Sequence, residues 1–83
     1  MEYSKLYAER IRSLCYERRL TINKLAMFSG LKQSTINNII SGVSKNPTVK
    51  TLHMIAIAFN MTLSEFLDFK ALNEYSFEEE DSE

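Results

Sequence analysis

Cysteine, histidine, proline and glycine are scarce in this sequence, and tryptophan is absent. The 83 residues include one cysteine, one histidine, one proline and two glycines. A single cysteine cannot form an internal disulfide and is typical of a reducing compartment, so we expect a cytoplasmic protein. One histidine and one cysteine supply neither a metal cluster nor a nucleophile pair. We therefore expect no enzyme, no bound metal and no cofactor.

Long apolar runs are missing as well. No stretch approaches the ~20 apolar residues of a membrane-spanning helix, and the start, MEYSKLYAERIR, lacks the pattern of a signal peptide. Hydrophobic residues make up 45% of the chain. That is enough for one small core, which would bury about 60% of the surface of the unfolded chain. The sequence predicts a single domain with no membrane contact and no small-molecule ligand.

Acidic and basic residues are segregated along the chain. Residues 1–70 contain all ten lysines and arginines against five acidic residues, a net charge of +5. Residues 71–83 contain six acidic residues and no basic one, a net charge of −6. The overall charge of −1 thus conceals a basic body that is compatible with nucleic-acid binding. We expect a folded domain over residues 1–70 and an acidic, flexible tail over 71–83.

The spacing of apolar residues predicts an all-α fold of five helices. The first covers residues 3–19, the second follows the N-cap Thr21, and the third runs over about residues 33–41. The fourth follows Thr48, and a capping box at residues 62–65 opens the fifth, whose apolar spacing continues to Leu72. Three of these helices are expected to end at residues that tolerate a left-handed backbone: Gly30, Gly42 and Asn60.

The third helix has a sharply divided surface. Ile36, Ile39 and Ile40 fall on one side of a helical projection. The other side is polar and contains no acidic residue: Gln33, Ser34, Asn37, Asn38 and Ser41. Short amide and hydroxyl side chains suit a surface that enters a groove of base edges. An exposed face that happens to lack charge explains the pattern equally well.

Basic residues at two helix ends leave two interpretations open. Lys32 is an unfavourable N-cap for the third helix, because it accepts no hydrogen bond from the free amides and its charge opposes the helix dipole. A nearby phosphate would offset both costs; otherwise the misfit is simply tolerated. Arg18 and Arg19 could also contact phosphate, although we favour their interaction with the negative end of the first helix dipole.

Taken in order, these residues resemble the lambda-repressor-like (Cro/XRE) helix-turn-helix family over about residues 6–69. The residues that carry the resemblance are Ile11, Leu14, Leu20-Thr21, Leu25-Ala26, Gly30, Ile36, Ile39, Gly42, Asn46-Pro47-Thr48, Leu52, Ile55-Ala56 and Met61-Thr62-Leu63-Ser64. The resemblance implies a compact five-helix DNA-binding domain. Helices two and three would be the helix-turn-helix, with helix three in the major groove.

Two features depart from the family pattern. Ile22 stands where relatives often have a glutamine that braces the reading helix. Cys15 and Ile40 stand where many relatives have a buried Arg–Glu pair. Replacing both members of such a pair by apolar residues is often neutral or stabilising. We therefore expect Cys15 to pack near Ile40 in the core.

The resemblance further implies a transcriptional regulator that binds double-stranded DNA and acts as a repressor. The residues that would read bases are Gln33, Ser34, Thr35, Asn37 and Asn38. Those that would bind phosphates are Lys32, Ser41, Lys45, Asn46 and Lys50. Because one small module makes few contacts, we expect a homodimer. Its contact would be formed by Phe66, Phe69 and Leu72.

A protein-interaction module on the same fold, such as an antitoxin-like or anti-repressor partner, is the alternative function. It is favoured by the acidic tail and by four apolar residues near it: Phe69, Leu72, Tyr75 and Phe77. DNA binding that falls steeply with salt would favour the first function. Binding to a protein alone would favour the second.

Overall fold

Six α-helices form the fold in the computed structural model, which describes residues 3–78. They are α1 (Tyr3–Arg18), α2 (Ile22–Ser29), α3 (Gln33–Ser41), α4 (Val49–Ala58), α5 (Leu63–Leu67) and α6 (Lys70–Asn73). The described residues contain no strand, so the predicted all-α class is confirmed. No helix among them is both long and apolar enough to cross a membrane.

Threonine N-caps begin three of the helices, as predicted. The hydroxyls of Thr21, Thr48 and Thr62 each accept a hydrogen bond from a backbone amide in the first turn of α2, α4 and α5. At α5 the cap is a complete capping box, because the Glu65 carboxylate also accepts from the Thr62 amide at 2.9 Å. These short-range hydrogen bonds fix where the helices start.

Residues with a left-handed backbone conformation lie at the three predicted helix ends. Gly30 ends α2 with φ of 78°, and Gly42 ends α3 with φ of 86°. Asn60, just after α4, has φ of 61°. Glycine adopts this conformation without a steric penalty, and asparagine tolerates it better than most residues. The break at Gly30 sets the angle between α2 and α3.

The core is formed by one apolar face from each of the first five helices. Its buried members are Tyr7, Ile11, Leu14, Cys15, Leu25, Ala26, Ile36, Ile39, Leu52, Ile55, Ala56, Phe59 and Phe66. α3 packs against α1 and α2, and α4 packs against α2 and α5. Because α3 contributes Ile36 and Ile39 to this core, its opposite face is left in solvent.

Cys15 is buried in this core, and burial raises the pKa of its thiol. Ile40 packs against the same cluster but is only half-buried. It borders a surface depression that it shares with Lys5 and Arg12 of α1. A carboxylate at position 40 would therefore border a depression that two cations and the Glu9 carboxylate line, rather than the closed apolar surroundings that the sequence suggested.

The predicted fifth helix is interrupted, so the chain has six helices rather than five. α5 ends at Leu67, Phe69 is extended, and α6 follows as a separate short helix. Arg10 of α1 donates from Nε to the Phe66 carbonyl and from Nη2 to the Glu65 carbonyl, both at 2.9 Å. It thus joins α1 to the end of α5, where the Glu65 carbonyl also accepts a hydrogen bond from the Asp68 amide at 3.2 Å.

Part of the predicted tail packs against α1. The Tyr75 and Phe77 rings lie 5.0 Å and 5.3 Å from the Tyr3 ring, centroid to centroid. The Tyr7 ring lies 5.6 Å from that of Tyr3, and the Tyr7 hydroxyl donates to the Tyr3 hydroxyl at 3.2 Å. Residues 79–83, with four of the six acidic residues, lie outside the described residues. The domain boundary at residue 70 stays a prediction.

Candidate nucleic-acid interface

The solvent face of α3 holds the residues predicted to read bases. Gln33, Ser34, Asn37 and Asn38 are exposed, whereas Thr35 is half-buried. Nine residues make a helix about 13 Å long, which is comparable with the ~12 Å width of the major groove. The fold thus gathers four of the five predicted residues on one exposed surface, with Thr35 less accessible.

The start of α3 has the misfit that the sequence predicted. Lys32 occupies the N-cap position with an extended backbone, and its side chain makes no capping hydrogen bond. The side chain is exposed. A lysine ammonium and the free amides of the first turn therefore occupy the same end of α3, where an anion would interact favourably with both.

The loop after α3 is attached to that helix through one carbonyl. The Asn38 carbonyl oxygen accepts a hydrogen bond from the Ser44 amide at 2.9 Å and another from the Ser41 hydroxyl at 3.4 Å. Lys45 and Asn46 follow directly and are exposed. Two of the predicted phosphate-binding residues are thereby held in a loop whose start is fixed relative to the face of α3.

Carboxylates are absent from the sequence around the helix-turn-helix. Residues 18–64 contain no aspartate or glutamate. They contain six basic residues, all exposed: Arg18, Arg19, Lys24, Lys32, Lys45 and Lys50. Lys24 belongs to this concentration of positive charge but is not among the residues predicted to bind phosphate. A positive potential of this kind raises the local concentration of a polyanion.

The predicted dimer residues do not form one exposed strip. Phe66 is fully buried and stacks on Phe59 with the ring centroids 6.4 Å apart, so it is not available for a contact with a second chain. Phe69 is half-buried, with the Arg10 guanidinium 5.0 Å from its ring centroid. Leu72 is half-buried and packs against the core.

Within residues 3–78 no group of three or more histidine, cysteine, aspartate or glutamate side chains could hold a metal ion. The described surface of the helix-turn-helix instead presents amides, hydroxyls and lysines, which are groups that hydrogen-bond to base edges and phosphates.

Comparison with known proteins identifies the family. Residues 10–71 match the Cro/C1-type HTH DNA-binding domain. The SPbeta prophage-derived uncharacterized HTH-type transcriptional regulator YopO of Bacillus subtilis (strain 168) is 33% identical over 63 residues, which are 76% of this chain and 89% of that protein. The crystal structure of the prophage Lp1 protein 11 has a TM-score of 0.79 and 33% identity, over 89% of this chain and 99% of the other. This chain therefore belongs to the Cro/C1-type helix-turn-helix family of DNA-binding domains.

Proposed function

We propose that this protein is a sequence-specific double-stranded DNA-binding protein that regulates transcription as a repressor, with α3 as its recognition helix in the major groove. The observation that carries the proposal is the exposed, polar and acid-free face of α3. An ordinary solvated helix face carries pairs of acidic and basic residues. This face carries instead the side chains that read base edges.

The amide side chains are assigned to base reading. A glutamine or asparagine amide can pair bidentately with N6 and N7 of adenine, and a serine hydroxyl can bond to several bases. We assign these roles to Gln33, Asn38 and Ser34 first, and to Asn37 and Thr35 second. Gln33 lies in the first turn of α3, and in this family the N-terminal part of the recognition helix contacts base edges.

Phosphate binding is assigned to residues at the two ends of α3 and just beyond it. Lys32 precedes α3, Ser41 ends it, and Lys45 and Asn46 lie in the loop anchored to it. Lys50 is exposed in the first turn of α4. Contacts of this kind set the position of the recognition helix and carry no sequence information of their own.

Repression is the simplest regulatory outcome of this arrangement. A protein that occupies an operator blocks other proteins from it, so repression needs no surface beyond the DNA-binding face. The relative from Bacillus subtilis carries the name of a transcriptional regulator, which supports regulation as the general role.

A homodimer is part of the proposal. One small module makes few contacts, and two modules on half-sites about one helical turn apart combine theirs. With Phe66 excluded by burial, the contact would use the accessible parts of Phe69 and Leu72. Leu72→Glu is the better test, because a carboxylate at position 69 would meet Arg10. This variant should lose dimers in sedimentation on a two-half-site duplex; a wild type that binds such a duplex only as independent monomers would rule the dimer out.

Selection of bound sites from random duplexes tests the proposal. We expect a short motif that recurs as an inverted repeat, because a two-fold dimer places two recognition helices symmetrically. Recovery of no preferred motif, together with binding to a protein partner, would favour the alternative function. That alternative has less support from the fold than from the sequence, because the Tyr75 ring packs against Tyr3 of the same chain.

A further inference from the structure

Three exposed side chains lie in the C-terminal half of α1 and directly after it. Arg12 and Tyr16 are spaced at i and i+4 on α1, and Arg19 follows the last residue of the helix, Arg18. Tyr16 is 87% exposed, and both arginines are exposed. Within residues 3–78, none of the three side chains has a hydrogen-bonding or ionic partner. We call these three residues the α1 stripe.

The other two arginines of this region are occupied by the fold. Arg10 binds the carbonyls at the end of α5. Arg18 lies over Phe59, with its guanidinium carbon 5.8 Å from the ring centroid. Two arginines therefore stabilise the domain, while Arg12 and Arg19 remain available for an external partner.

The backbone at Arg19 has a conformation that glycine usually adopts. Arg19 has φ of 55° and forms the end of α1 in which the Leu20 amide donates to the Cys15 carbonyl at 2.9 Å. This is the helix ending that usually places glycine at the left-handed position. A side chain there is strained relative to glycine. The turn itself does not require an arginine.

The α1 stripe is continuous with the helix-turn-helix. A depression of about 350 Å³ between α1 and α3 is lined by Lys5, Ala8, Glu9, Arg12, Ile39, Ile40, Ser41 and Gly42. Arg12 thus lies beside the end of α3, where the chain enters the loop that holds Lys45. At the other end of the stripe, Arg19 lies two residues before the N-cap of α2.

We propose that the α1 stripe is a second contact with the DNA backbone, in which Arg12, Tyr16 and Arg19 bind phosphates that flank the groove occupied by α3. This inference rests on the proposed DNA binding. Guanidinium groups bind phosphate oxygens through paired hydrogen bonds, and a tyrosine hydroxyl can donate one more. Arg12 lies within α1 and Arg19 lies after its end, so the two guanidinium groups would meet different phosphates.

Charge complementarity favours the DNA backbone over a protein partner. Arg19 belongs to the stretch of residues 18–64 that lacks acidic residues. Glu9 lines the depression beside Arg12, and Glu17 lies next to Tyr16 and Arg19. Both carboxylates repel phosphate and so oppose the binding that the two arginines favour. Neutralising Glu17 should accordingly strengthen DNA binding.

The test measures duplex affinity against salt concentration for Arg12→Ala, Arg19→Gly and Tyr16→Phe. The probes are a duplex with a selected site and a duplex of unrelated sequence. Each arginine variant should lower the slope of log K against log salt by about 0.9, equally on both duplexes. Tyr16→Phe should weaken binding without changing the slope, and Glu17→Gln should tighten binding. Lys70→Ala, which removes an exposed cation on α6, is the matched control and should leave the slope unchanged.

Arg19→Gly also separates binding from folding. Glycine relieves the left-handed backbone, so this variant should melt at the wild-type temperature or above it while binding DNA more weakly. Wild-type slopes for both arginine variants, with a reduced slope for Lys45→Ala, would overturn the inference and leave the proposed function standing. A changed base preference in either arginine variant would overturn the backbone assignment. Failure of the wild type to bind any duplex would remove the proposed function and this inference together.

Discussion

Removing the Arg10 side chain should destabilise the domain more than any other single surface change on α1. Arg10 is the one α1 cation that donates to both the Glu65 and Phe66 carbonyls, each at 2.9 Å. Its guanidinium also lies 5.0 Å from the Phe69 ring and 5.9 Å from the Phe66 ring. These contacts join residues more than fifty positions apart in the sequence.

The expected loss follows from these contacts. A hydrogen bond that involves a charged group contributes about 1.5 kcal/mol or more. An aromatic ring under a guanidinium adds roughly 0.5 kcal/mol at a partly exposed site. Because one of the two carbonyls is exposed and can bind water instead, we expect Arg10→Ala to cost about 2–3 kcal/mol. For a domain of this size that corresponds to a fall in Tm of roughly 10–20 °C.

Urea denaturation followed by circular dichroism measures this loss. The midpoint should fall while the slope m stays unchanged, since the unfolded surface is the same. Arg10→Lys should recover little, because a lysine ammonium cannot reproduce the fork of two parallel donors.

Arg12→Ala is the matched control for this experiment. Arg12 is an exposed arginine half a turn further along the same helix, and its side chain has no partner within residues 3–78. Its removal should change stability by less than about 0.5 kcal/mol. If Arg10→Ala were as mild as Arg12→Ala, the contacts between Arg10 and the end of α5 would not stabilise the domain.

Three smaller predictions follow from burial and backbone geometry. Ile40→Glu should lower the free energy of unfolding by less than the ~3 kcal/mol of an unpaired buried carboxylate, since position 40 is half-buried beside Lys5 and Arg12. A loss of stability at or above that value in thermal unfolding would contradict this prediction. Burial raises the pKa of the Cys15 thiol, so the free energy of unfolding should fall as pH rises above the ordinary thiol pKa of about 8.5. Labelling of this thiol at neutral pH should require unfolding. Rapid labelling of the native protein would refute the burial. Gly42→Ala should cost about 1 kcal/mol through its left-handed φ alone, because an added Cβ meets nothing within 4 Å; a cost above about 3 kcal/mol by urea denaturation would point to a steric clash instead.

The helix boundaries that could be predicted from the sequence are those set by local chemistry. Thr48 caps the helix that begins one residue later, and its hydroxyl needs only the Thr51 amide three positions away. Gly42 ends α3 through its own backbone conformation. Such signals involve a few neighbouring residues, so a single sequence contains them in full.

The features that the sequence could not reveal depend on distant contacts. The apolar spacing of residues 66, 69 and 72 is that of one helix, yet Arg10 takes the carbonyls at the end of α5 and the chain turns there. Tyr75 looked like part of a flexible tail, but its ring meets Tyr3 at the other end of the chain. Neither partner is recognisable from the residues near it in the sequence.

The candidate site likewise combines features that the sequence predicts with features that depend on distant contacts. The polar face of α3 followed from helical spacing, and four of its residues are exposed together. The sequence could not show that Arg12 and Arg19 are available to a partner, because this depends on which arginines make contacts within the chain. Arg10 and Arg18 differ from Arg12 and Arg19 only in these contacts: carbonyl oxygens beside Arg10 and an aromatic ring under Arg18.

The most direct test of the account compares Gln33→Ala with Lys45→Ala on the selected site, on single-base variants of it and on unrelated duplexes, over a range of salt concentrations. Gln33→Ala should weaken binding to the best site by about 1–3 kcal/mol and relax the preference at one base pair. Lys45→Ala should weaken binding to all duplexes similarly and lower the salt slope by about one unit. Unchanged sequence preference in Gln33→Ala, together with altered preference in Lys45→Ala, would contradict the assignment of α3 as the recognition helix.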